Sequence, residues 1–219
     1  MGQEGMRKGG LVEPAKRIPG ALRISFSAGE LLFQAGAFAA GVYVVEAGLV
    51  VQGFYRDGRP RASLLASPGD LVGVEAWLAE PTPRYRAFAR ALTSTRVWFI
   101  SSQDWGKALA DPELQRLLLD QLAKGWLDRA VLHSLAGDPK RALAWLLWRW
   151  GEPKDSRLRL PANASLLASL AGCSRSAMGK ALESLREEGA AELQAGWLLG
   201  LPAALRTYFF GEVAIASLR

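Results

Sequence analysis

The sequence predicts an α+β protein: a β roll, then a long helix, then a C-terminal helix-turn-helix with a hairpin. Three observations lead to this. Short apolar runs separated by glycine turns extend to about residue 100, helical spacing of apolar residues begins near 112, and two short helical patterns meet at a glycine near the C terminus. We therefore expect a β-roll domain over 1–110, a long-helix segment over 111–137 and a helix-turn-helix domain with a hairpin over 138–219.

The β region is marked by its turns. Runs such as G-V-Y-V-V-E-A-G-L-V-V-Q-G-F-Y are rich in Val, Phe, Tyr and Leu, and Gly, Asp-Gly or Pro-Gly signals separate them. Asp57-Gly58 lies between two such runs and is typical of a tight hairpin. Half of the 219 residues are apolar, so the chain can bury a sizeable core.

A long helix follows over 112–136. Its apolar residues recur mostly at separations of three and four, and Asp111-Pro112-Glu113 is a helix start with an acid in the first turn. The leucine stripe is broader than packing on the β domain requires. We expect a dimer helix, with a core helix of a single chain as the alternative.

The pattern restarts at Asp138-Pro139 and gives a helix that ends at Gly151. The next residues, E-P-K-D-S-R-L-R-L-P, are polar, and Leu158 and Leu160 alternate with arginines as in a short edge strand. Residues 139–219 hold 11 basic and 7 acidic side chains, a balance of +4, against 16 and 14, or +2, in 1–138. The more basic C-terminal part is a mild indication of a polyanionic partner.

Residues 163 to 189 predict two helices joined by a tight turn. Asn163 is a good N-cap for the first helix, and Gly172 suits the left-handed position at its end. Ser174 caps the second helix, whose inward face carries Met178, Ala181, Leu182 and Leu185 at helical spacing. The result is a helix-turn-helix, and A-A-E-L-Q-A-G-W-L-L-G after it reads as the hairpin of a wing.

The outward face of the second helix suits DNA. An arginine in its first turn can bond guanine O6 and N7, and a serine cap with free backbone amides can hold a phosphate. Gly179 costs helix stability, which a close sugar-phosphate strand would explain. A solvated helix face is the alternative. The candidate DNA-binding residues are Asn163, Ser174, Arg175, Ser176, Gly179 and Lys180.

Composition argues against several other classes. Cys173 is the one cysteine and His133 the one histidine, so neither an intrachain disulfide nor a Cys/His metal site can form. Cys173 fits a small buried residue at the crossing of two helices. No nucleophile elbow, P-loop, zinc-protease or dinucleotide motif is present, and we expect neither an enzyme nor catalytic residues. No membrane span or apolar leader is evident, which favours the reducing cytoplasm.

Taken together, residues 22 to 200 resemble the family of the cyclic-AMP receptor protein and FNR (CRP/FNR), bacterial transcription regulators. The resemblance rests on G-C-S-R at 172–175 and on the glycines at 29, 36, 48, 58, 69 and 73 with Asp70. It implies a cyclic-nucleotide-binding-type β roll, a homodimer through 112–136, recognition helices in a near-palindromic DNA site, and contact with RNA polymerase. Arg175 matches the family's base-reading arginine and Lys180 another DNA-contacting position, whereas Ser176 replaces a common glutamate.

The β roll departs from the cyclic-AMP binders. Those proteins carry G-E-L after the G-D turn and an Arg-Ser pair on the phosphate, where this chain has Gly73-Val74-Glu75 and Tyr85-Arg86. Valine cannot accept a ribose hydroxyl bond, and a one-residue shift along a strand would turn Glu75 to the opposite face. A displaced site would use Gly73, Glu75, Arg84, Tyr85 and Arg86.

The sequence therefore predicts a homodimeric, sequence-specific transcriptional activator that needs no cyclic AMP and no other cofactor. A regulator gated by a cyclic nucleotide or another small ligand at a displaced site is the first alternative. A third hypothesis is a winged helix that binds protein, since Glu187, Glu188 and Glu192 lie near the wing. The missing N-terminal cysteines exclude an FNR-type iron-sulfur cluster. The sequence assigns no role to residues 201–219.

Overall fold

The computed structural model describes residues 10–78 and 83–214, with side chains up to 208 in the last helix. The N-terminal residues that argue against a leader lie outside this range. The chain divides into two compact units, Met1–Leu127 and Asp128–Arg219. This boundary falls inside the long helix, which we had expected to be a segment of its own.

The first unit contains two antiparallel four-stranded sheets that form the β roll. Their strand orders are β1-β8-β3-β6 and β2-β7-β4-β5. The strands are β1 Leu22–Phe26, β2 Leu31–Phe33, β3 Gly41–Ala47, β4 Val50–Arg56, β5 Arg59–Ala66, β6 Leu71–Val72, β7 Phe88–Ala91 and β8 Thr95–Ser101. Asp57 and Gly58, at φ 52° and 69°, join β4 to β5 in the predicted hairpin.

Within residues 10–78 and 83–127, four helices lie in the first unit or begin there. In chain order they are α1 Val12–Arg17, α2 Glu75–Leu78, α3 Ser102–Ala108 and α4 Pro112–Ser134. The long helix is thus confirmed, although it ends two residues before the predicted boundary. Leu114 and Leu118 of α4 are buried in one cluster with Leu11, Val44 and Trp105. The short helix α1 has no clear signal in the sequence, yet Leu11, just before it, is one of the most buried residues of this cluster.

An ion pair fastens α4 within the first unit. Lys124 Nζ lies 3.1 Å from Asp70 Oδ1, and the other oxygen of Asp70 accepts hydrogen bonds from the backbone N–H and hydroxyl of Ser67 at 2.8 and 2.9 Å. Asp70 is buried, and each of its two carboxylate oxygens has a partner. The G-D turn that carried the family resemblance is therefore also a structural anchor for α4.

The second unit is built around a central helix. Its elements are α5 Pro139–Trp150, β9 Glu152–Lys154, β10 Arg157–Pro161, α6 Ala164–Leu170, α7 Arg175–Glu187, β11 Ala191–Gln194, β12 Trp197–Gly200 and α8 Pro202–Ala214. Helix α5 begins at Asp138, whose carboxylate caps Arg141 N–H at 3.1 Å. It packs against α7, α8, β10 and β12 and buries Leu143, Leu146 and Leu147 completely.

The predicted edge strand with Leu158 and Leu160 proved to be an interior strand. The sheet order is β11-β12-β10-β9, so β10 pairs on both sides and β9 forms the edge. Asp155 and Ser156 make the intervening two-residue turn at φ 48° and 65°, a left-handed conformation that neither residue signals strongly. Leu158 and Leu160 are both buried, and the pairing of β10 with β9 was not predicted.

A buried ion pair joins the last part of α4 to α5. Arg149 Nε donates to both carboxylate oxygens of Asp128 at 3.0 and 3.1 Å, and the two side chains are 16% and 9% exposed. The Arg149 guanidinium also lies 5.0 Å from the ring centroid of Trp150. The end of α4 is thereby an integral part of the second unit, in which Leu132 and, just after the helix, Leu135 are also buried.

The C-terminal helix α8 closes the unit. It packs on α5, with Leu205 fully buried, Arg206 over the ring of Trp148 at 5.4 Å, and the Tyr208 carbonyl accepting a bond from Arg141 Nε at 3.0 Å. Leu205 is thus part of the hydrophobic core of this unit, and the contacts of Arg206 and Tyr208 hold the start of α8 on α5. None of the described helices is both long and apolar enough to span a bilayer.

Candidate nucleic-acid interface

Two capped helices place the candidate DNA-binding residues. Asn163 Oδ1 accepts the N–H of Leu166 at 2.9 Å to begin α6, and Ser174 Oγ accepts the N–H of Ala177 at 3.1 Å to begin α7. Gly172 lies between them at φ 64°, in the left-handed conformation predicted for it. Both predicted caps are present, so the chain enters each helix at a fixed position.

Helix α7 has one buried and one exposed face. Met178, Ala181 and Leu185 are buried, as predicted, while Leu182 is half-buried. The opposite side of the helix faces solvent, and its exposed residues include Ser174, Arg175, Ser176, Gly179 and Lys180, with Glu183 beside them. The structure therefore brings five of the six candidate DNA-binding residues onto one solvent-facing surface.

The start of α7 is suited to an anion. Its third and fourth amides are used within the chain, since Ala177 N–H bonds the Ser174 hydroxyl and Met178 N–H bonds the Ser174 carbonyl. The first amides, those of Arg175 and Ser176, remain directed out of the helix end. Together with the partial positive charge of the helix start, they favour a phosphate oxygen.

Asn163 contributes differently from the other candidates. Its carbonyl oxygen is used by the cap of α6, so only its amide NH₂ can serve an external acceptor. Cys173 is half-buried between the two helices, and its N–H donates to Ala168 O at 3.0 Å. Burial raises the pKa of its thiol, which keeps the group protonated and agrees with a packing role.

A hairpin follows α7. Strands β11 and β12 pair in register around Ala195 and Gly196, at φ 48° and 81°. This two-residue turn is the one predicted for the wing. In chain order, residues 164–200 therefore form two helices joined by a tight turn and then a short hairpin.

The candidate effector residues lie in the first unit and do not form one open site. Gly73 ends the strand segment at φ 87°, and Glu75 begins α2. The prediction that Glu75 sits on a strand was therefore wrong, because the chain turns into a helix directly after Gly73. Arg84 is exposed and donates from Nη1 to Gly36 O at 2.9 Å, and Arg86 is also exposed.

Tyr85 points the other way, into the roll. It is 2% exposed, its ring stacks on Phe33 with centroids 3.8 Å apart, and its hydroxyl donates to Gly41 O at 2.7 Å. Burial, the neighbouring Tyr43 and the charge of Glu75 raise the pKa of Tyr85 well above its usual range, so the phenol stays neutral. A side chain added at Gly73 would meet this ring at 2.9 Å.

Aromatic rings thus fill this part of the roll. Phe33, Tyr43, Tyr85 and Phe99 form a continuous cluster in which Tyr43 lies 5.6 Å from Phe33 and 5.1 Å from Phe99. The sequence prediction aligned Tyr85 with the arginine of the family's phosphate-binding pair. It did not predict that the Tyr85 side chain points into the roll. The alternation Arg84-Tyr85-Arg86 was the available signal, since the middle residue of such a pattern faces the core.

Replacing Tyr85 by phenylalanine is expected to lower the free energy of unfolding of the first unit by about 1 kcal/mol. The change removes the hydroxyl bonded to the buried Gly41 carbonyl but keeps the stacked ring. Urea unfolding followed by circular dichroism would measure the effect. Tyr55→Phe is the matched control, because Tyr55 is 44% exposed and should change stability by less than about 0.5 kcal/mol. Equal effects of the two changes would contradict the structural role of the Tyr85 hydroxyl.

The comparisons with known proteins agree with both units. Residues 23–111 match the model of the cyclic nucleotide-binding domain family. A CRP/FNR-family transcriptional regulator of Thermus thermophilus superposes with a TM-score of 0.69 at 23% identity, covering 85% of this chain and 97% of that one. The chain has the CRP/FNR fold. The family resemblance found in the sequence is thereby confirmed, and so is the α+β class.

Two further CRP/FNR-fold neighbours cover most of both chains. FixK2 from Bradyrhizobium japonicum has a TM-score of 0.70 at 22% identity, over 86% of this chain and 97% of that one. The regulator CLP of Xanthomonas campestris, described as responsive to c-di-GMP, has a TM-score of 0.67 at 20% identity over 83% and 94%. No curated protein matches the chain in sequence. Within the described residues, no group of three or more His, Cys, Asp or Glu side chains could hold a metal ion.

Proposed function

We propose that this protein is a sequence-specific DNA-binding transcriptional regulator, an activator that works as a homodimer without cyclic AMP. The observation that carries the proposal is the exposed face of α7. Arg175, Ser176, Gly179 and Lys180 lie there together, while the other side of the helix is buried in the second unit. This is the surface that a recognition helix offers to the major groove, and the hairpin β11–β12 corresponds to the wing.

Each residue has a distinct role in this proposal. Arg175 has the planar fork that bonds guanine O6 and N7. Lys180 and the Ser174 hydroxyl contact phosphates, together with the first amides of α7 and the Asn163 amide. Ser176 supplies a small polar contact where the family commonly has glutamate, which changes the preferred half-site. The basic balance of residues 139–219 adds attraction that salt weakens.

The homodimer rests on the outer face of α4. Leu119, Leu122, Trp126 and Leu127 are 65%, 37%, 69% and 55% exposed on that helix. Large apolar side chains clustered on one exposed helix face are typical of an interaction surface. A two-fold dimer would present two copies of α7 to a near-palindromic DNA site, with half-sites about 10 bp apart. Contact with RNA polymerase is part of the activator proposal.

Independence from cyclic AMP is supported by the aromatic cluster. Tyr85 occupies the interior of the roll opposite Gly73, and the buried Val74 offers no acceptor for a ribose hydroxyl. The match of residues 23–111 to the cyclic nucleotide-binding family favours a second candidate function, a regulator gated by a nucleotide or another small ligand. Calorimetry with cyclic AMP, cyclic GMP and c-di-GMP at millimolar concentrations decides between the two, since absence of heat removes the second candidate for these ligands.

Selection of duplexes from a random DNA library, with and without cyclic AMP, tests the main proposal. We expect a two-fold-symmetric motif recovered equally in both arms. A motif found only with cyclic AMP would establish the gated regulator. Binding that falls steeply with salt but selects no motif would contradict sequence-specific recognition and favour a winged helix that binds protein.

Replacing Gly179 by alanine is expected to have opposite effects on stability and on DNA binding. An added Cβ meets no atom of the chain within 4 Å, so the better helix former should raise the free energy of unfolding by about 1 kcal/mol. On DNA the same methyl group should crowd the sugar-phosphate strand and weaken binding to the selected site by roughly fivefold, about 1 kcal/mol. Gly106→Ala in α3, where the space is equally open, is the control and should stabilise without loss of affinity. Unchanged DNA affinity in Gly179→Ala would show that DNA does not approach this position.

A further inference from the structure

The end of the β4–β5 hairpin extends beyond the neighbouring strand of its sheet. The ladder between β4 and β7 ends at the pair Gly53–Phe88, whereas β4 and β5 continue to pair as far as Arg56–Arg59. Every residue from 54 to 61 is exposed. Residues 54–61, which we call the arm, therefore form a two-stranded ribbon that reaches into solvent.

Three arginines share one face of the arm. Arg56 lies directly opposite Arg59, and Arg61 lies directly opposite Phe54, so the four side chains are on the same side of the ribbon. Like charges in directly opposite positions destabilise a β ladder. Within the part of the chain that the structure describes, none of the three guanidinium groups has a hydrogen bond or an ion pair. The arm thus holds an uncompensated cluster of positive charge.

An aromatic ring lies on each face of the arm. Phe54 is 44% exposed on the arginine face. Tyr55 is equally exposed on the other face, where its ring centroid lies 5.4 Å from that of Phe88. Charged residues alone would keep a free strand edge from pairing with other chains, but exposed rings have the opposite effect. Protection of the edge therefore does not account for Phe54 among the arginines.

We propose that the arm binds single-stranded nucleic acid. Phe54 stacks on a base, and Arg56, Arg59 and Arg61 bond the flanking phosphates through their planar forks. An acidic protein segment would satisfy the guanidinium groups but would leave the ring without a role. In a duplex the bases are already stacked on one another. The arm belongs to the first unit, so this inference goes beyond the proposed function of α7 and does not rest on it.

Fluorescence anisotropy of the full chain with a labelled oligothymidylate of about 12 nucleotides tests the proposal. Replacing Arg56 and Arg59 together by alanine should raise the dissociation constant at least about tenfold. The slope of log affinity against log salt should fall by about 1.4, which is roughly 0.7 for each lost phosphate contact. The fold should not suffer, because the change removes a like-charge pair from an exposed ribbon, and the urea midpoint checks this.

The matched control replaces Arg175 and Lys180 of α7 by alanine. It also removes two exposed positive charges, and the dissociation constant for the oligothymidylate should change by less than about threefold. Loss of binding in this control together with unchanged affinity in the arm variant would overturn the proposal. Recognition of a duplex by α7 would be unaffected by that result.

Base stacking is measured with 2-aminopurine placed in the oligonucleotide, whose fluorescence falls when the base stacks. Phe54→Leu keeps an apolar side chain but removes the ring, and it should abolish the quenching and weaken binding at least about fivefold. Phe38→Leu is the matched control, because Phe38 is 59% exposed outside the arm, and it should retain both. Equal quenching in the two variants would contradict the role of Phe54.

Competing ligands separate single strands from the other polyanions. Displacement of the oligothymidylate by an oligouridylate of the same length would support the proposal, since the bases and phosphates are of the same kind. Equally effective displacement by an oligoglutamate peptide would overturn it in favour of an acidic protein partner. Equally effective displacement by a duplex of the same length, lost in the Arg56, Arg59 double variant, would overturn the preference for single strands.

Discussion

Replacing Arg149 by methionine is expected to destabilise the second unit by about 3 to 5 kcal/mol. Arg149 Nε bonds both oxygens of Asp128, and the two side chains are nearly enclosed. Methionine retains the apolar stem and leaves the carboxylate charge buried without its main partner. The cost comes from this uncompensated charge, which the low-dielectric surroundings penalise far more than water would.

Denaturant unfolding followed by tryptophan fluorescence would measure the effect, since Trp145, Trp148 and Trp150 all lie on α5. The double change Asp128→Leu with Arg149→Met is the informative control. It removes both charges together, and we expect its stability to lie within about 1 to 2 kcal/mol of the original protein. If Arg149→Met alone were as stable as the double variant, the pair would not be a buried charge pair in solution.

Replacing Arg175 by alanine is expected to cost about 1 to 3 kcal/mol of discrimination between the selected DNA site and a site altered at one base pair. The α7 backbone and its buried face do not depend on this exposed side chain, so stability should stay within about 0.5 kcal/mol. Competition binding with the two duplexes at a fixed salt concentration gives the discrimination directly. Arg175→Lys should not restore it, because an ammonium lacks the bidentate fork.

Lys180→Ala separates base reading from phosphate contact. Loss of a phosphate-contacting lysine should weaken binding to all duplexes about equally and reduce the slope of log affinity against log salt by roughly one. Arg175→Ala should instead act mainly on the selected site. If both variants lowered affinity uniformly across sequences, the base-reading role would not belong to Arg175.

The second unit could be predicted from sequence in considerable detail because its signals are local. Asn163 and Ser174 cap helices, Gly172 needs a left-handed conformation, and Ala195-Gly196 makes a tight turn. Each of these depends on a few neighbouring residues. The hairpin at Asp155-Ser156 escaped prediction because neither residue is a glycine or asparagine, although both adopt positive φ.

The orientation of the candidate effector residues was harder to predict because it depends on packing between strands that are distant in sequence. The segment with Tyr85 could be aligned with a phosphate-binding pair, but whether Tyr85 faces a ligand or the core depends on Phe33, Tyr43 and Gly41. These residues come from β2 and β3, far away in sequence. The Asp128–Arg149 pair, 21 residues apart, was missed for the same reason, since charge pairing across a turn leaves no periodic pattern.

The rings that fill the β roll bear on how such a protein would be controlled in a cell. If Tyr85 occupies the place where a metabolite would act, the rate of synthesis and degradation of the chain becomes its input signal. Pairing of chains is second order, so below the dissociation constant a doubling of chain concentration raises the dimer concentration about fourfold. A gene switched on by such a dimer would respond to dosage with a threshold, and the dissociation constant of the dimer would set the chain concentration at which that threshold lies.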